Sequence, residues 1–383
     1  MRVLIVNSHG EDLSCGGAEQ AVMELTAGLL ADGIEVAHLQ AHPARTQTHD
    51  IERTILHRSD WRDDQARRIK NHLNDVVARP KDRLEQAIVG HRPDVVHTHN
   101  LPGIGTGIWE VCRQLGLPVV HTLWDYYLLC PRVTLTSRDG TPCRPSPLLC
   151  GLRTRRLVRW APAVAQVIGC SQYVLDRHAH FFEDAAAHVL RNPVHVSSSG
   201  EIPQPRGRPA VLGYIGTISR MKGIHLLLEA APRLRQLGIR VRLAGDGRLR
   251  DEVSAAVDRG LVDWDGRVLG DEKDRFFADC DLGIVPSVWA EPGGPTFTMA
   301  EWLAARRPVL VSTRGGLGEV AGVYDGSIPV EPTADAIVAA LTELCEGDRW
   351  RETVDAVRPI ELESPAEWVG RHETIYRSVV PQA

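Results

Sequence analysis

Lysine is almost missing from this chain. It stands only at positions 70, 81, 222 and 273 of 383 residues, so 40 of the 44 basic residues (44 less 4) are arginine. The bias reads as base composition of the gene rather than mechanism, but it draws attention to any lysine inside a motif. Positive charge is not in excess either: the formal net charge of −5 gives no global support for a nucleic-acid partner. There is no G-x-G-x-x-G, so the dinucleotide-dehydrogenase fingerprint is missing. There is no G-x-x-x-x-G-K followed by Ser or Thr, so a P-loop kinase is unsupported. No apolar run reaches membrane-spanning length. The eight cysteines include no C-x-x-C pair. Cys130, Cys143 and Cys150 share a Pro-rich stretch with no obvious fourth ligand, which argues against zinc. The chain runs at once into strand-like MRVLIVN, with no charged or apolar leader before it. A cytoplasmic location with mostly reduced thiols is therefore expected.

What is present suits an α/β protein: hydrophobic content is 43%, with 34 glycines, and the length predicts two domains. In the first half, 2–7, 34–39, 93–100, 118–127 and 164–170 read as strands or strands with their loops. Between the first two, Ala18, Ala21, Val22, Leu25 and Leu29 recur at helical spacing. Gly16 and Gly17 precede that helix, where paired glycines let backbone approach a phosphate or sugar, though a plain tight turn uses them equally well. The polar stretch 41–90 predicts helices near 61–78 and 81–89. His97 and His99 end one strand, and His121, Trp124 and Asp125 lie near the end of the next. Ligands of open α/β sheets bind at such strand ends. Asp125 is the best acid/base or hydroxyl-binding candidate of this half; the other use of these side chains is structural hydrogen bonding or loop capping. The basic run 153–159, RTRRLVR, meets either solvent, an anionic acceptor or a membrane surface.

Residues 195–209 are rich in Pro, Ser and Gly and predict an interdomain linker. A second alternation follows, with strands at 211–217, 241–247, 267–270, 281–287 and 308–313. A helix puts Ile224, Leu227, Leu228, Ala231 and Leu234 on one face. Asp263-x-Asp265, just before 267–270, reads as a turn rather than a metal–diphosphate site. The densest signal is 289–310, WAEPGGPTFTMAEWLAARRPVL. An irregular Gly/Pro loop leaves the strand, and a helix begins near Thr296 with Pro295 suited to its start. The N–H groups of Thr296, Phe297 and Thr298 would then face an anion. Glu291 and Glu301 bracket the site, and carboxylates suit sugar or ribose hydroxyls.

Nine motifs in order resemble the family-4 retaining glycosyltransferases of GT-B fold. They are GGAE (16–19), DVVHTHN (94–100), TLWDYYLLCPR (122–132), RNPV (191–194), GTISRMKG (216–223), LAGDG (243–247), DLGIVPS (281–287), the glutamate segment and RPVLVSTRGGLGEV (307–320). The resemblance implies two facing Rossmann-like domains, 1–194 on the acceptor side and 210–358 for the nucleotide sugar. Residues 359–383, with Trp368 and Tyr376, would return as a helix to the first domain. It implies transfer of a sugar, with retention, from a nucleotide-diphosphate sugar, a UDP-sugar, to a hydroxyl acceptor that is a small molecule or glycan intermediate. Lys222 would bind the diphosphate, Glu301 the ribose, and Gly16 and Gly17 would close over the phosphates. Gly245 and Val268 would add donor contacts, and Glu291 and Asp125 would serve the chemistry. No metal and no cofactor are implied.

This chain also departs from the pattern. Thr217 stands where the family often has Arg, and Arg220 would supply that charge. The two glutamates are ten apart instead of eight, so the first family position falls on Gly293. Trp124 stands where T-x-H carries a histidine. Two other activities share the shape: a nucleotide-sugar epimerase or hydrolase, and a non-catalytic nucleotide-sugar binder.

Overall fold

The computed structural model describes residues 1–9, 17–42, 49–56, 81–137, 141, 143–144, 146, 148–192, 207–358 and 363–381. Gly16, the stretch predicted as a helix over 61–78 and most of the expected linker lie outside them. The chain divides into two compact units. The first is Met1–Leu135, Arg144–Pro193 and Glu363–Ala383; the second is Thr136–Cys143 and Val194–Leu362.

The apolar runs of the first unit form β1 (Arg2–His9), β2 (Glu35–His42), β3 (Glu52–Ile55), β4 (Val95–Thr98), β5 (Val119–Leu123), β6 (Gln166–Gly169) and β7 (Ala186–Val189). They make one parallel sheet in the order β3-β2-β1-β4-β5-β6-β7. β4 and β5 are buried along their whole length, as expected of parallel strands covered on both faces. The edge strands β3 and β7 were not anticipated. Both are only four residues long and partly exposed, β3 being polar and β7 made largely of small residues, so neither carries the buried β-branched run that marks a central strand. The helices are α1 (Gly17–Ala31), α2 (Lys81–His91), α3 (Gly107–Gln114), α4 (Leu149–Val158) and α5 (Gln172–His178). The last helix of the chain, Pro365–Val379, also belongs here. Trp368, Val369, Ile375 and Tyr376 of that helix join Val3, Ile5, Leu25 and Leu29 in one core.

The second unit repeats the plan. Its strands are β8 (Val211–Ile215), β9 (Arg240–Ala244), β10 (Val262–Trp264), β11 (Leu282–Val285), β12 (Val309–Ser312) and β13 (Ser327–Val330). They form a parallel sheet ordered β10-β9-β8-β11-β12-β13. Its helices are α6 (Ile224–Gln236), α7 (Arg250–Asp258), α8 (Asp271–Asp279), α9 (Phe297–Ala304), α10 (Ala334–Leu344) and α11 (Arg349–Ala356), which makes the C-terminal helix α12. One expected strand is wrong. Residues 267–270 form no strand; the edge strand is β10, which includes Asp263 of the expected turn. β10 is held from outside its own sequence: Arg240 pairs with Asp263 and Arg242 with Asp265, and the Trp264 indole N–H donates to the Gly245 carbonyl at 3.0 Å.

The order reverses between β1 and β4 in one sheet and between β8 and β11 in the other, which opens a crevice beyond the carboxyl ends of those strands. In the second unit the reversal is set by packing. Gly213 of β8 and Gly283 of β11 are register partners. A Cβ on Gly213 would stand 2.5 Å from the Trp302 ring, and one on Gly283 would stand 2.3 Å from it. The two glycines therefore make the floor on which Trp302, fully buried in α9, lies. Asp281 locks the same strand pair by accepting the Ala210 and Val211 N–H groups at 2.9 and 2.8 Å.

Gly283→Ala is expected to destabilise the protein by about 1–3 kcal/mol through overpacking. Combining it with Trp302→Phe should restore part of the loss, because the Trp302 indole N–H makes no hydrogen bond that Phe would forfeit. Urea unfolding of the two single variants and the double variant checks this; strictly additive losses would exclude the contact as the cause.

Candidate functional site

The loop after β8 carries Lys222, and the loop after β11 carries Glu291. The strand reversal brings the two together, 69 residues apart in sequence: Lys222 Nζ lies 2.5 Å from Glu291 Oε1. Glu291 is nearly buried, and the Ser287 hydroxyl donates to the same oxygen at 2.7 Å. Ser287 is fixed in turn, because its carbonyl accepts from the Ser312 hydroxyl at 2.7 Å. The Glu291 carbonyl accepts the Gly316 N–H at 2.7 Å, and Glu291 bridges Gly315. Gly315 and Gly316 pack backbone to backbone against 290–293, where any Cβ would meet main-chain atoms at 2.5–3.0 Å. That is the physical reason for Gly315 and Gly316. Lys222 also lies 5.6 Å from the centre of the Trp289 ring, so an indole face and a carboxylate hold one ammonium. Glu291 adds to the rise in the Tyr214 pKa, which burial mainly causes; the Tyr214 hydroxyl donates to the Thr217 carbonyl at 2.8 Å.

Helix α9 starts one residue later than its sequence suggested. Thr296 is the N-cap, its hydroxyl accepting the Met299 N–H at 3.3 Å, and Pro295 stands before the cap rather than in the first turn. Pro295 fits because its ring precedes the helix, and the cap role needs the Thr side chain. Phe297 and Thr298 then keep first-turn N–H groups that no helical carbonyl can accept. Glu301 lies one turn further on and is paired with Lys273 of α8, Nζ to Oε1 2.5 Å. Lys273 was missed, although the scarcity of lysine that singled out Lys222 applied equally to it.

Other expected donor contacts fall differently. Arg220 is exposed, and with burial it lowers the pKa of half-buried His225, burial being the larger cause. Gly245 is engaged in the fold itself: its N–H donates to the Gly266 carbonyl at 2.6 Å, and a Cβ there would stand 1.8 Å from the Gly216 carbonyl oxygen. Val268 packs half-buried against the cluster of Ala244, Phe276 and Phe277.

In the first unit the strand ends gather histidines. His97 is wholly buried, and both ring nitrogens are engaged, at 2.7 Å with the Tyr376 hydroxyl and at 2.7 Å with the Thr122 hydroxyl. Of the two uses the sequence left open, strand-end ligand contact and structural hydrogen bonding, His97 has the second, with Tyr376 of the C-terminal helix packed over it. His99 lies 4.0 Å from His97 between ring centres. His121 stands 2.9 Å from the Thr98 hydroxyl and points to Trp109 and Phe182. Trp124 is half-buried against the core and donates its indole N–H to His99 Nδ1 at 2.9 Å. Asp125 accepts the Tyr127 N–H at 2.7 Å, closing its turn. Burial raises its pKa to about 7, with Glu19 adding to the rise while the Tyr127 N–H and Arg153 oppose it. His99, His121, Trp124 and Asp125 share a small recess with Leu101 and Leu128. Gly17 begins α1.

Burial is the largest cause of the low histidine pKa values here. It lowers His121 to about 3 and His178 and His372 to about 4, and depresses His97 and His99 well below 6.5. These groups are neutral when folded and charge when unfolded, so their contribution is present above about pH 6.5 and is lost as pH falls toward 4. Asp125 acts with the opposite sign, but it is one group against five. Melting temperature is expected to drop steeply between pH 6.5 and 4, and the drop should shrink in His372→Gln. An unchanged acid slope in that variant would remove His372 from the account.

The comparisons with known proteins follow this architecture. Residues 15–198 match the model for Glycosyltransferase Family 4, and residues 209–347 that for Glycosyl transferases group 1. An uncharacterized 42.6 kDa protein in the cps region of Klebsiella pneumoniae is 26% identical over 350 residues, covering 88% of this chain and 91% of that protein. A glycogen synthase of Mycobacterium tuberculosis is 26% identical over 356 residues, covering 83% and 80%. Among solved structures, sucrose-phosphate synthase from Thermosynechococcus elongatus superposes with a TM-score of 0.69 at 16% identity, covering 99% of both chains. Anabaena HepE in complex with UDP superposes at 0.64 and 17% identity, covering 99% of this chain and 96% of that one. With both halves matched in order and each unit folded as a Rossmann-like sheet, the chain belongs to the family-4, group 1 glycosyltransferases of GT-B fold.

Proposed function

We propose that the protein transfers a sugar from a nucleotide-diphosphate sugar to a hydroxyl acceptor, with retention of anomeric configuration and without a metal ion. The observation that carries this reading is the Lys222–Glu291 pair beside the start of α9, at the strand reversal of the second unit. Departure of the sugar leaves charge on the diphosphate. Lys222, Arg220 and the N–H groups of Phe297 and Thr298 offer positive charge and donors for it, as a metal would elsewhere. Glu301, oriented by Lys273, suits a ribose diol. HepE has also been solved with UDP-glucose, which supports a UDP-sugar as donor here. Retention rests on the family resemblance.

A second reading, nucleotide-sugar binding without transfer, draws on Trp124. An indole cannot act as a base, and its only N–H is occupied by His99. A donor-by-acceptor panel read by mass spectrometry separates the two, and turnover of donor without acceptor would mark an epimerase or hydrolase.

Lys222→Ala is expected to slow acceptor-dependent release of nucleoside diphosphate by about 10²–10³. A Lys222→Ala rate equal to wild type would sink this assignment, and a wild-type rate lost on chelator treatment would overturn the metal-independent reading. Asp125, poised at about pH 7, should give kcat/KM a limb that rises through that pH as its carboxylate forms. Asp125→Asn should remove the limb; if the limb stays while melting temperature falls, Asp125 only closes its turn.

A further inference from the structure

Sugar transfer gives no use to the outer face of α4. The inner face is fully employed. Arg153 Nη1 donates to the Tyr127 carbonyl at 2.7 Å, Thr154 Oγ1 donates to the Leu128 carbonyl at 3.0 Å, and Leu157 is buried. The outer face begins with Leu148, 76% exposed, Leu149, 72% exposed, and Leu152, 50% exposed. It ends with exposed Arg155, Arg156 and Arg159. Positions 148, 152, 155 and 159 fall on one helical stripe, with 149 and 156 beside it. From 140 to 175 the sequence has five arginines and no aspartate or glutamate. The other exposed leucines among the described residues, Leu30 and Leu269, are separate in sequence from one another, whereas these three share one end of one helix.

We propose that this face docks the protein on an anionic phospholipid bilayer. The leucines at one end of α4 enter the boundary between headgroups and acyl chains, and the arginines at the other end meet lipid phosphates. The charge pattern selects this occupant. A second copy placing the same patch against itself would bring cation to cation with no acid to relieve it. A nucleic acid would use the arginines but would leave the leucines in water. The basic run alone did not define the surface, because Arg153 turns inward and the apolar half lies before that run.

The protein is sedimented with vesicles of phosphatidylcholine alone and with about 30 mol % phosphatidylglycerol. Binding is expected to the anionic vesicles only, weakening with added salt. Arg155→Ala and Arg156→Ala should each lower the partition constant about fivefold. The double variant Leu149→Ser, Leu152→Ser should lower it by about tenfold or more. All four side chains are exposed, so melting temperature should hold, which separates loss of docking from loss of fold. No binding to anionic vesicles overturns the proposal, as do variants that bind as tightly as wild type. A concentration-dependent dimer that Leu149→Ser abolishes would assign the face to a second copy instead.

Discussion

Trp302 lying on two glycines is the contact from which the second unit is arranged. An α-helix can seat its axis close to a sheet only where the strands beneath lack side chains. Gly213 and Gly283 supply that gap at the one strand pair where the order of the sheet reverses. With Trp302 fixed there, the start of α9 has one place to go, beyond the ends of β8 and β11. The loops from those same strands bring Lys222 and Glu291 to that place. A larger residue at either glycine would lift the helix and separate the parts of the site.

Electrostatics then decides how the site is held. A buried carboxylate is costly unless paired and hydrogen-bonded. Glu291 has the Lys222 ammonium and the Ser287 hydroxyl on one oxygen, and Ser312 orders Ser287. The pair therefore positions the Lys222 ammonium at the strand reversal before any ligand binds. In the first unit the corresponding strand ends hold neutral histidines instead. His97 and His99 crowd under the C-terminal helix against its own His372, and burial keeps all three uncharged. The two units share a topology and present opposite polar characters at the same topological position.

Much of this was legible in the sequence. Short β-branched runs ending in glycine or polar residues marked the central strands, because parallel strands are buried on both faces and carry little else. The ordered motifs carried the family, and the Gly/Pro stretch at 289–296 located the start of α9. The failures have physical causes. RVLG at 267–270 has strand composition but no partner, whereas β10 exists because Arg240, Arg242 and Gly245 hold it from another strand. The edges β3 and β7 are four residues each and partly exposed, too short and too little buried to carry a strand signal. Lys273 showed no motif around it, since its partner Glu301 lies 28 residues away.

By itself the sequence determined the α/β class, the repeated strand–helix plan, the two halves and the residue types at the second unit's strand ends. These follow from local periodicity, turn chemistry and motif order, all of which act within a few residues along the chain. Tertiary structure alone decided which of those residues meet. It closed α12 over His97, turned Arg153 inward and left Leu148, Leu149 and Leu152 outside, set the indole of Trp124 on His99, and joined Glu301 to Lys273. Such outcomes depend on burial and on contacts between distant segments, and no local pattern of side chains encodes either one.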